Sequence, residues 1–181
     1  SPRLPVVATI NALPLEKSIN DATVCQGGSV TLTLLNSENG VSYQLRDNSD
    51  NSNIGVAVDG TGADITFTFV PTSTLTANVL ATNKTTSCSL QMADMASVTV
   101  NPLPAQKALS NDTVICAGGS AILGLKASQN GVTYQLKQKS DNAVVSTKIG
   151  NGAYLQFDAV SPASTSSYYV TADNGCTVNM T

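Results

Sequence analysis

Residues 20–30 read NDATVCQGGSV, and residues 111–121 read NDTVICAGGSA. A shift of 91 positions lays Cys25 on Cys116 and Gly27-Gly28 on Gly118-Gly119. The same shift carries NGVSYQL (39–45) onto NGVTYQL (130–136), Asp50-Asn51 onto Asp141-Asn142 and Pro71 onto Pro162. Shifts of 90 and 88 relate GADITF (62–67) to GAYLQF (152–157) and Cys88 to Cys176, differences that small loop indels absorb. The 181-residue chain is therefore two copies of one module.

Within each copy apolar residues alternate with polar ones. Val30, Leu32 and Leu34 correspond to Ala121, Leu123 and Leu125; Val41, Tyr43 and Leu45 to Val132, Tyr134 and Leu136. Ile65, Phe67 and Phe69 correspond to Leu155, Phe157 and Ala159; Ala77, Val79 and Ala81 to Tyr168, Val170 and Ala172. One buried face per strand is what two packed antiparallel sheets require. Asn39-Gly40, Asn130-Gly131 and the GTG and GNG triplets at 60–62 and 150–152 supply turns. About seven short strands in roughly 90 residues predict an all-β chain of two tandem immunoglobulin-like β-sandwich domains. The expected division is residues 13–101 and 102–181, with residues 1–12 set apart.

Composition agrees with that class. Apolar residues make up 41% and charged residues only 12%, about half the usual share, the deficit being filled by Thr, Ser and Asn. A net charge of −3 with scattered lysines gives no phosphate-binding footprint, so nucleic acid is not an expected partner. No apolar run reaches the roughly 18 residues of a membrane span, so direct membrane insertion is not expected. The absence of His removes imidazole bases, Ser–His and Cys–His pairs and His-ligated zinc. The four cysteines contain no C-x-x-C, so structural disulfides in an oxidising compartment are expected. The repeat suggests one bridge per copy, Cys25–Cys88 and Cys116–Cys176, each closing about 60 residues and worth up to ~4 kcal/mol.

The ends of the chain carry their own pattern. SVTVNPLP (97–104) closes the first copy, and Pro102 and Pro104 make a stiff joint. VATINALP (7–14) resembles it at a shift of 90. Residues 4–10 are thus expected to be the last strand of a preceding module or a strand exchanged between molecules. Twelve residues run from Cys88 to Val100, but only five follow Cys176, so the second copy is expected to lack most of a final strand.

TVCQGGSVTLT, VSYQL, SCSL…SVTVNPLP and TVICAGGSAI…VTYQL…NGCTVN resemble the immunoglobulin-like tandem repeats of large Bacteroidetes cell-surface proteins. These include gliding-motility adhesins and type IX secretion cargo. The resemblance covers nearly the whole chain, but Leu45 and Leu136 stand where many members carry Trp. It implies a secreted, surface-exposed repeat that acts as a stalk or adhesin, with neighbouring modules of the same array as partners and no enzymatic activity.

A site intrinsic to the module should occur in both copies. Asp59 and Asp64 could pair as carboxylates or calcium ligands, but the second copy has Ile149 or Gly150 and Tyr154 there, which favours a turn role. Asn20-Asp21 and Asn111-Asp112 recur, and carboxylate and amide oxygens suit calcium; the competing reading is an Asx turn. No other cofactor is implied. Tyr43 and Tyr134 are expected in the core with a hydrogen-bonded hydroxyl. Tyr169 is the exposed aromatic a surface glycan would stack on. Asn83, Asn111 and Asn179 begin N-x-[S/T] triplets, and Thr113 lies in a DTV sequence similar to an O-glycosylation sequon of Bacteroidetes surface proteins. Two other functions compete with the stalk: a surface filament subunit built by strand addition between copies, and a carbohydrate-binding accessory module.

Overall fold

The computed structural model describes residues 6–110 and 112–180. The described residues contain fourteen strands and no helix. The chain forms two compact units, one ending at Val100 and the other starting at Asn101.

The first unit comprises β1 (Ala22–Cys25), β2 (Val30–Leu34), β3 (Val41–Asp47), β4 (Val58–Asp59), β5 (Ile65–Phe69), β6 (Leu75–Asn83), β7 (Ser89–Gln91) and β8 (Ala96–Asn101). One sheet runs β1-β8-β6-β3-β4, with β7 also on β6; the other is the antiparallel pair β2–β5. The alternation explains the layering. Val30, Leu32 and Leu34 face inward with Tyr43, Leu45, Phe67, Val79 and Val98, whereas Thr31 and Thr33 face solvent or the rim. β7 and β8 both lie along one edge of β6: Leu80–Thr82 pair with β7, and Leu75–Ala77 pair with β8.

The direction of β1 follows from three contacts. Glu16 Oε2 accepts from Ala93 N, Asp94 Oδ2 from Ile19 N, and Asp21 Oδ1 from Ser97 N. Because both partners advance along the sequence together, this segment runs parallel to β8 and brings Cys25 out at its Val100–Asn101 end. Cys88 lies beyond the opposite end of β6: Asn83 N donates to Cys88 O, and Cys88 Sγ is 4.0 Å from Asn11 O. The length of β6, on the order of 25 Å, separates the two cysteines, and a disulfide needs Cα atoms within about 7 Å. The expected bridges Cys25–Cys88 and Cys116–Cys176 are therefore not formed. Cys25 and Cys176 are disulfide-bonded, and Cys88 and Cys116 carry free thiols.

The second unit comprises β9 (Gly124–Leu125), β10 (Thr133–Gln138), β11 (Val144–Ile149), β12 (Leu155–Gln156), β13 (Tyr168–Asp173) and β14 (Thr177–Asn179). Its sheets are β11-β10-β13-β14 and β12-β9. The register repeats that of the first unit: Tyr43 faces Ala81 and Leu45 faces Val79, just as Tyr134 faces Ala172 and Leu136 faces Val170. One expected core position is corrected. Ala159 is exposed and Val160 is buried in its place, bridged to Ala121. The extra residue falls at Asp158, whose carboxylate is held by Ser146 and Lys148 on β11.

Candidate functional site: an open strand slot

The two units differ most along one sheet edge. In the first, β8 covers the start of β6 and carries Ala96 and Val98 into the core. In the second, β14 pairs with Thr171–Asp173, the counterpart of β7 on β6, and no described strand follows it along β13. The place of β8 is instead an open groove of about 1240 Å³. Its walls include Asp112, Ile115 and Cys116 on one side and Thr165, Ser167 and Tyr168 on the other.

A second difference accompanies the first. The counterpart of β1, around residues 113–116, forms no strand. β1 is held in its sheet by β8 alone, so a segment without that neighbour has no ladder to join. Val114 is accordingly 98% exposed, whereas Val24 packs against the first core.

The repeated Asn-Asp pair gains a structural role. In the first unit Asp21 Oδ1 accepts from Ser97 N at 2.7 Å, and Asn20 Oδ1 accepts from Thr33 N. Both candidate calcium ligands thus hold strands through backbone amides. Asp112 occupies the equivalent place on the groove wall, and Asn111 lies outside the described residues. Thr74 Oγ1 accepts from Val100 N at 2.9 Å on the other side of β8, and Thr165 is its counterpart in the groove. Sequence reasoning missed this threonine. Its recurrence at the 91-residue shift was the available signal.

The remaining candidates fall in several places. Tyr43 and Tyr134 are fully buried, and their hydroxyls accept from Glu38 N and Gln129 N, each at 2.9 Å. Burial pushes the Tyr43 phenol above its ordinary range. Tyr169 is half-buried on the groove wall, donating to Asn142 Oδ1 at 2.9 Å. Thr113 and Asn179 also line the groove, and Asn83 Oδ1 accepts from Thr85 N and Thr86 N in a turn. Asp59 pairs with Lys84 at 2.7 Å, and Asp64 Oδ1 accepts from Asn36 N at 2.9 Å, so the two carboxylates serve separate contacts. Cys116 is exposed beside the start of β13. Cys176 follows the end of β13, with its Sγ 3.9 Å from Asn101 O.

No family model matches the sequence, and no curated protein matches it. Among solved structures, the human OSCAR ligand-binding domain is 10% identical, with a TM-score of 0.42 over 94% of this chain and 96% of that one. The I9–I11 tandem of titin is 12% identical, with a TM-score of 0.40 over 91% of this chain and 64% of that one. Fibronectin(III)-like modules of Clostridium thermocellum CbhA are 12% identical, with a TM-score of 0.40 over 89% and 85%. The sandwich assignment stands on strand order and core in each unit.

Proposed function

We propose that the chain is a non-catalytic structural or adhesive repeat segment of a secreted bacterial surface protein, acting as a stalk or adhesin. What supports this reading is how the polar groups shared by the two copies are used. Tyr43 and Tyr134 accept backbone N–H bonds, Asp21 and Asn20 hold strands, and Asn51 and Asn142 take positive φ in matching turns. Each of these groups maintains the frame, as a spacer selected for shape requires. The resemblance to surface-protein repeats supplies the location, and the composition rich in Ser, Thr and Asn suits an exposed module.

Force spectroscopy on a polyprotein carrying this chain, in the presence of reductant, tests the proposal. Two unfolding peaks are expected, each releasing about 30 nm of chain at ~3.5 Å per residue. Extension of either unit without a force peak would show that it is not a load-bearing module.

A further inference from the structure

The sheet that carries Tyr43 ends at β4, and the sheet that carries Tyr134 ends at β11. The two edges are built differently. β4 is only Val58–Asp59: Gly55 takes a positive φ of 66° and turns the chain out of the ladder, and Asp59 puts a charge on the strand. Short length and charge keep an exposed edge from pairing with another chain. At the shift of 90 that lays Gly60 on Gly150, Val145 stands in the place of Gly55 and Ile149 in that of Asp59. β11 is accordingly six residues long, and its Val145 and Ile149 are 38% and 67% exposed.

The backbone of this edge is open as well. Gly150 N donates to Val132 O, which fixes the phase of the ladder. Lys148 and Ser146 bond to β10, and the N–H and C=O groups of Thr147 and Ile149 point the other way. Among the described residues no strand pairs with β11 on that side.

We propose that β11 pairs with β11 of a second copy, antiparallel and around a two-fold axis at Thr147, so that the two β11-β10-β13-β14 sheets become one. The strand is complementary to itself in this register. The two Thr147 exchange N–H···O=C bonds, and Val145 of each copy lies opposite Ile149 of the other on the outer face. On the inner face Lys148 lies opposite Ser146. Ser146 Oγ donates to Asp158 Oδ2 at 2.8 Å, Lys148 Nζ reaches Asp158 Oδ1 at 2.6 Å, and the Asp158 side chain is 63% exposed. Each ammonium therefore comes between its own Asp158 and that of the other copy. An axis at Lys148 would set the two ammonium groups opposite each other, where like charges repel. The bulge at Val145 limits the shared ladder to residues 145–149.

The pairing does not depend on the load-bearing role, and its test reads association and register, not force. The full chain carrying Cys88→Ser and Cys116→Ser, which remove the two free thiols, should show a monomer–dimer equilibrium in light scattering. Ile149→Asp restores the charge that Asp59 supplies in the first unit and should weaken the dimer about tenfold or more. Its melting temperature at concentrations where the chain is monomeric checks that the fold survives. Thr147→Pro removes an N–H that β10 does not use and should abolish the dimer. In the same background Thr147→Cys, with oxidised glutathione as the electron acceptor, should form a covalent dimer, since the axis brings the two Cα atoms to about 5.5 Å. Val145→Cys should not, because four residues of strand set the two copies of that position about 14 Å apart. A monomer at every concentration, a dimer that Ile149→Asp leaves intact, or equal cross-linking at positions 145 and 147 would each overturn the proposal.

Discussion

Tyr43 and Tyr134 show what a single buried polar atom does in each copy. Both rings fill core volume, while the hydroxyl accepts one backbone N–H across the bend that precedes the strand. Tyr134→Phe keeps the ring and leaves the amide of Gln129 without its acceptor, so a loss of about 1–2 kcal/mol in chemical denaturation is expected. Tyr43→Phe should cost a similar amount, and no loss in either would show that water replaces the hydroxyl. Asp158 sets a pH dependence. The hydrogen bond from Lys148, then that from Ser146, holds its carboxyl below the ordinary value of 3.8. Its contribution is complete above that value and is lost as pH falls through the lower folded-state value. The gap in melting temperature between the native chain and Asp158→Asn should therefore narrow below about pH 4, and a gap that stays constant with pH would refute the clamp. The tyrosine burial was legible in the sequence, because period-2 alternation puts positions 43 and 134 on the inner face. The cysteine pairing was not. Alternation gives the face a residue points to, but not whether β1 runs parallel or antiparallel to its neighbour, and that direction sends Cys25 to the far end from Cys88.

At the scale of elements, the strand count depends on neighbours more than on local propensity. TVC at 23–25 and TVIC at 113–116 have nearly the same β preference, yet only the first forms a strand. A two-sided context decides between them, since β1 exists where β8 supplies its hydrogen-bonding edge. Hydrogen exchange at low protein concentration should show amides 114–116 opening freely while those of 23–25 stay protected. Equal protection of the two segments would mean that the edge at 114–116 is covered in another way. The bulge at Asp158 could not be anticipated from the sequence, because a one-residue insertion leaves the apolar spacing of GAYLQF intact and displaces only the next core position, from Ala159 to Val160.

The two units have cores of unequal size. Among the described residues the first core holds fifteen buried apolar side chains and the second ten. Burial of apolar area is the main favourable term in folding, so the unit with the smaller core is the less stable one. The unit from Asn101 onward is therefore expected to unfold first, giving two calorimetric transitions in reductant instead of one. Leu136→Ala, in the second core, should cost about 2–5 kcal/mol and lower only the first transition. Leu45→Ala, its counterpart in the first core, should lower only the second. A single transition that both substitutions shift together would mean that the units fold as one body, and the repeat would then lack the independence that a segmented stalk requires.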